Sequence, residues 1–232
     1  MKRNVPVAVW MRQSLLGLLC ALTACWASAG PQREEPLADA VRSALSVAIA
    51  QQGPPELVHA DAQSEQAFAA WLGHTQGMLR QRLRPRGQPG SRAQADAVRT
   101  TPAPGHELDA DSLQSEFLHT VWYESQRAGL DPALVLGLIQ VESGFRKFAI
   151  SSAGARGYMQ VMPFWTHVLS DGDTSQLFHA QANVRFGCVI LRHYLNLERG
   201  DWVLALGRYN GSRGQSAYPT AVLSASKAWR PR

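Results

Sequence analysis

Residues 133–142 read Ala-Leu-Val-Leu-Gly-Leu-Ile-Gln-Val-Glu, a run that is apolar on almost every side of a helix. A helix without a polar face must be buried, so the rest of the fold has to be built around this stretch. Asp131-Pro132 places an N-cap acceptor and a first-turn proline ahead of it, and Glu142-Ser143-Gly144 closes it. The consequence is chemical as well as architectural. Glu142 is a carboxylate at the C-terminal end of a buried helix, where lost hydration and the negative end of the helix dipole both oppose its charged form. Its pKa is expected to lie above the ordinary carboxylate range. A carboxylic acid that stays protonated near neutral pH can give its proton to a leaving oxygen.

The surrounding pattern predicts a mostly α chain with little or no sheet. Helices are expected over 36–51 (Leu37, Val41, Leu45, Ile49), over 62–83 (Phe68, Trp71, Leu72, Leu79, Leu83) and over 108–128, stopping at Gly129. Further helices are expected over 157–162, 163–169, 183–198, 201–209 and 219–228. Residues 85–105 change to Arg, Pro, Gly, Gln and Ala with almost no large apolar side chain, the composition of a linker. The chain thus divides into an export signal (1–29), a helical N-terminal region (30–84) expected to pack on the main domain or to form a helical accessory region, the linker (85–105) and the main domain (106–232).

The export reading rests on a charged start (Lys2, Arg3, Arg12) followed by the apolar run 15–24, too short to span a bilayer, and then small residues. Two exits compete. Ala27-Ser28-Ala29 before Gly30 would release a free protein, whereas Leu22-Thr23-Ala24-Cys25 would leave a lipid anchor at Cys25. Cys20 and Cys25 fall in the signal, so Cys188 has no intramolecular disulfide partner; inside an apolar helical pattern it reads as a small core residue. The formal charge of +5 also comes largely from the signal. Taking its three basic residues from 23 Lys and Arg leaves 20 against 18 Asp and Glu. Nucleic acid is therefore not an expected partner. The seven histidines form no H-E-x-x-H motif, and neither a metal nor a cofactor is expected.

Three short motifs follow in order: Glu142-Ser143; Gly157-Tyr158-Met159-Gln160 with Val161-Met162-Pro163; and Tyr209-Asn210 before Gly211. With Asn183, Gly187, Leu191 and Leu195 spaced by four residues, they resemble the SLT-type lytic transglycosylases, relatives of goose-type lysozymes within the lysozyme-like fold. Tyr158 stands where that family usually has Leu, Trp165 where Thr is common, Arg208 where a small residue precedes Y-N, and Gly211-Ser212 where Ala-Gly is common.

The resemblance implies a helical catalytic domain acting on peptidoglycan glycan strands in the periplasm. Glu142 would protonate the glycosidic oxygen between N-acetylmuramic acid and N-acetylglucosamine. It would then take the proton from the muramoyl C6 hydroxyl as a 1,6-anhydro ring closes. Ser143 and Tyr209 would hold the sugar and the Glu142 carboxyl group, Gln160 and Asn210 would bind N-acetyl and peptide-side groups, and Met159 would line the saccharide site. Each also has a plainer reading: Tyr209 and Met159 as core, Gln160 as a surface amide, Asn210-Gly211 as a helix-ending turn, and Phe164, Trp165 and Trp202 as core rather than stacking walls. Two other functions compete. A hydrolytic muramidase would need a second carboxylate, for which Asp171 or Asp173 are the candidates. A non-catalytic glycan-binding module would have no need of Glu142 as an acid.

Overall fold

The computed structural model describes residue 32 and residues 34–50, 62–83 and 110–230. The expected export signal and linker lie outside the described residues. Eight α-helices are described: α1 (Asp39–Ala50), α2 (Ala62–Leu83), α3 (Ala110–Arg127), α4 (Pro132–Glu142), α5 (Phe164–Leu169), α6 (Ala180–Leu197), α7 (Trp202–Asn210) and α8 (Ala217–Lys227), with a 3-10 turn at Thr174–Phe178. The mostly helical class expected from the sequence is found.

The start of α4 follows from its cap: the Asp131 side chain accepts from the Ala133 N–H at 2.8 Å, and Pro132 occupies the first turn. Every residue from 132 to 139 is buried, each large aliphatic side chain contributing roughly 1.5–3 kcal/mol by leaving water. α4 packs mainly on α8 and also on α3, while α6 packs on α3, α7 and α1. The α4–α8 contact is backbone to backbone. A Cβ on Gly137 would lie 2.7 Å from the Ser226 nitrogen and 2.9 Å from the Val222 oxygen. Beyond α8, the buried Trp229 donates its indole N–H to Gln140 of α4 at 2.9 Å.

The N-terminal helices are built onto this core. α1 lies on α5 and α6, and α2 lies on α3. Arg82 of α2 places its guanidinium 4.8 Å from the centre of the Trp229 ring. A buried ion pair between Glu124 and Arg185, 2.9 Å, ties α3 to α6.

The helix expected over 157–162 does not form. Gly157 (φ +75°) and Gln160 (φ +49°) take left-handed backbone, which a right-handed helix cannot continue. Arg156 and Val161 instead exchange backbone hydrogen bonds of 2.9 and 3.0 Å, closing a tight turn. This turn and the bridge from Ile150 to Arg156 are the only ladder-type pairings among the described residues.

Candidate active site

Glu142 ends α4 and keeps partial access to solvent. Burial of its carboxyl group raises the pKa, and a hydrogen bond from Tyr218, which favours the charged form, lowers it; the balance is about 7. The Tyr218 hydroxyl, in the first turn of α8, donates to Glu142 Oε1 at 2.5 Å. Tyr218 is itself buried, and its own pKa is pushed up by burial and by the charge of Glu142. Nothing local in Ser216-Ala217-Tyr218-Pro219 marks this role, which only the pairing of α4 with α8 reveals.

The carboxyl partner is therefore Tyr218 rather than Ser143 or Tyr209. The Ser143 hydroxyl turns back to the Ile139 carbonyl at 3.1 Å, the usual recourse of a serine at a helix end, and its own carbonyl accepts from Arg146 at 2.9 Å. The Tyr209 hydroxyl donates to the Met159 carbonyl at 2.7 Å. Burial raises the Tyr209 pKa well above its ordinary value, and the charge of Glu142 adds to the rise.

Met159 is fully buried, its sulfur against Gly187, where a Cβ would come within 2.4 Å. The Gln160 amide donates to the carbonyls of Gly157 (2.9 Å) and Ala149 (3.2 Å), stapling two turns together. Asn210 is different: it is buried, and its Nδ2 has no hydrogen-bond partner among the described residues. It ends α7, and the left-handed Gly211 (φ +81°) caps the helix.

The residue that organises this turn is Asn183, whose four-residue spacing to Gly187 was legible but whose task was not. Its Oδ1 accepts from Met159 N at 2.8 Å, and its Nδ2 donates to the Arg156 and Leu177 carbonyls, also at 2.8 Å. Residues i and i+4 share a helix face, so Asn183 and Gly187 meet the same loop, one by hydrogen bonds and one by leaving room.

Two positions that depart from the family pattern hold the N-terminal segment. The Trp165 indole N–H donates to Gln32 Oε1 at 2.9 Å. Arg208 pairs with Glu35 at 2.7 Å and with Glu198 at 2.7 Å. Arg213, then Arg208, hold the Glu198 pKa down to about 2.

Asp171 and Asp173 serve as turn caps: Asp171 accepts from the Asp173 N–H at 3.0 Å, and Asp173 from the Ser175 N–H at 2.8 Å. Cys188 is buried and its thiol pKa is raised by burial. Among the described residues no group of three or more His, Cys, Asp and Glu is placed to hold a metal ion.

Comparison with known proteins matches residues 120–225 to the family described as the Transglycosylase SLT domain. A membrane-bound lytic murein transglycosylase C of Mannheimia succiniciproducens is 48% identical over 48 residues, 21% of this chain and 13% of that protein. A transglycosylase of Enterobacteria phage PRD1 is 33% identical over 116 residues, 47% of this chain and 42% of that protein. The chain thus spans less than half the length of either relative. Among solved structures, an inactive mutant of the lytic transglycosylase Slt from Pseudomonas aeruginosa aligns with 52% of this chain and 25% of its own, at 23% identity and a TM-score of 0.44. The matched stretch holds Glu142, the turn pinned by Asn183 and the Tyr209-Asn210 pair, so the whole candidate site built around Glu142 lies within the residues that match the transglycosylase SLT domain.

Proposed function

We propose that this chain is an exported lytic transglycosylase. It would cut the β-1,4 bond between N-acetylmuramic acid and N-acetylglucosamine in peptidoglycan and leave 1,6-anhydro-N-acetylmuramic acid ends. The observation that carries the reading is a single buried carboxyl group with a pKa of about 7, held by a tyrosine hydroxyl. Near neutral pH such a group exists in both protonation states, as one residue acting first as acid and then as base requires.

In the first step Glu142 gives its proton to the glycosidic oxygen, and the C1–O bond breaks. In the second, the muramoyl C6 hydroxyl bonds to C1 and its proton passes to the Glu142 carboxylate, which restores the enzyme. Water is not consumed. The substrate's N-acetyl group can stabilise the developing positive charge, so no second catalytic carboxylate is needed, a recognised departure from the two-carboxylate scheme. Tyr218 favours the carboxylate that exists between the two steps. Ser143, Met159 and Gln160 contribute by shaping the walls, and Asn210 offers its unused amide to the substrate.

The muramidase alternative would need Asp171 or Asp173 as base, and both carboxylates are engaged in capping. Export would follow from residues 1–29, with release before Gly30 or lipid anchoring at Cys25, and peptidoglycan would be met in the periplasm. No described helix is long and apolar enough to cross a membrane. Mass spectrometry of peptidoglycan digested with the purified protein tests the proposal. Ends one water lighter than hydrolysed ends, and resistant to borohydride, are expected; predominantly reducible ends would give the site to a muramidase.

A further inference from the structure

The two most exposed large apolar side chains among the described residues stand almost together. Phe148 is 71% exposed and Ile150 64%, and both lie on the tip that runs from the end of α4 toward the Arg156–Val161 turn. The backbone of this tip is held at both ends. Ala149 donates to the Arg146 carbonyl at 3.2 Å, and its own carbonyl accepts from the Gly157 N–H at 2.9 Å and from the Gln160 amide at 3.2 Å. The Ser151 N–H donates to the Ala155 carbonyl at 3.0 Å. Phe148 and Ile150 are therefore presented by a fixed loop, which has little further freedom to lose on binding. Cations share the same surface. The Lys147 ammonium lies 5.4 Å from the centre of the Phe148 ring, that ring lies 5.9 Å from the Phe178 ring, and the Arg156 guanidinium lies 5.7 Å from the Phe178 ring. Among the described residues neither Lys147 nor Arg156 pairs with an acid. From Ser143 to Ser170 the chain has no Asp or Glu at all, and the next acids, Asp171 and Asp173, cap their own turn.

We propose that this tip docks on an anionic lipid surface, with Phe148 and Ile150 entering the boundary between headgroups and acyl chains while Lys147 and Arg156 meet the headgroup charge. Apolar side chains flanked by basic ones are the combination that holds a protein in that boundary, and each basic residue close to an anionic leaflet adds to the attraction. A glycan strand fits the tip less well. A polyhydroxylated ligand needs placed hydrogen-bond partners, which neither a phenyl ring nor a butyl side chain supplies, whereas hydrocarbon asks for none. Docking on lipid stands by itself; its consequence for cutting rests on the peptidoglycan reading above. Phe148 follows Glu142 by six positions, and six residues reach at most about 20 Å. A docked molecule would therefore hold its acid within that distance of the bilayer and cut the glycan lying next to the membrane.

The test uses the chain from Gly30 onward, which keeps every described contact and removes the apolar run 15–24 that would itself bind lipid. Co-sedimentation with vesicles of phosphatidylglycerol and phosphatidylethanolamine should retain the unaltered chain, and vesicles of phosphatidylcholine alone should retain much less. Phe148→Ser combined with Ile150→Ser should weaken partitioning by at least about tenfold, and Lys147→Glu by about tenfold, since it exchanges an attraction for a repulsion. Salt at about 1 M should weaken the unaltered chain in the same way. Phe148→Trp should keep binding, because Trp favours the membrane interface. All of these positions are exposed, and melting temperatures confirm folding. Clearing of suspended peptidoglycan, which offers no bilayer, should not change in the double variant. No retention of the unaltered chain, or retention that the double variant keeps, would overturn the docking surface and leave the transglycosylase reading untouched. A double variant that still binds vesicles but no longer sediments with purified peptidoglycan would give the tip to the glycan instead. Vesicle binding that the double variant loses, with no cleavage of peptidoglycan by the unaltered chain, would keep the docking surface and sink the transglycosylase reading.

Discussion

Tyr218 and Glu142 are 76 positions apart in the chain, and 2.5 Å separates the tyrosine hydroxyl at the start of α8 from the carboxyl oxygen at the end of α4. Two opposed effects meet there. Burial disfavours the carboxylate, the hydroxyl favours it, and the compromise lies at about 7.

Replacing Tyr218 by Phe removes the effect that lowers the pKa and keeps the burial. The Glu142 pKa should therefore rise above about 7, and the alkaline limb of the kcat profile should move to higher pH. The lost orientation should cost about tenfold in kcat, the lower part of the range for a displaced acid–base group. A limb that stays put, or moves down, would show that Tyr218 does not act on the proton of Glu142.

Glu142→Gln should reduce clearing of peptidoglycan suspensions by at least about a hundredfold while the protein folds normally. The same substitution reports on stability. Because folding raises this pKa from 4.5 to about 7, the stability it contributes is full below about 4.5 and is lost as pH rises through about 7. Gln stays neutral throughout. Urea unfolding should show wild type losing on the order of a few kcal/mol relative to the variant between pH 4.5 and 8, a bound that residual solvent access reduces. Parallel curves for the two proteins would contradict the raised pKa.

Gly137→Ala should destabilise by about 1–3 kcal/mol, since the new methyl meets the backbone of α8 rather than a side chain that could turn aside. Activity should fall with it, because the helices forced apart are those carrying Glu142 and Tyr218. Thermal melting and clearing assays on one preparation check both; a fully stable variant would mean that the helices have room to part.

Asp171→Asn and Asp173→Asn should leave the chemistry of the product ends unchanged. Each weakens a capped turn, at roughly 0.5–2 kcal/mol of local stability. Loss of cleavage in either variant, with folding intact, would revive the hydrolytic reading.

What the sequence made legible was what short stretches decide by themselves. The all-round apolar run and the Asp131-Pro132 start specify a buried helix ending at Glu142, and the periodicity over 62–83 matches α2 residue for residue. The turn over 157–162 was misread as helix because its course depends on Gln160 at φ +49°, and no residue type announces a left-handed glutamine. Tyr218 and Asn183 were not singled out because their tasks are defined by partners on other elements. Motif resemblance pointed to Ser143, Met159 and Gln160 but could not tell which of their polar atoms the fold consumes internally.

The pairing of α4 with α8 also sets an order of events. Closing a contact over 76 positions costs more chain entropy than the local contacts that hold Gln160 to Gly157 and Ala149. A chain still being made, or clipped ahead of residue 217, would leave α4 bare on one side and Glu142 without its hydroxyl partner. Any cutting power that depends on that pair would then appear only after α8 has docked, and a half-made molecule would lack it.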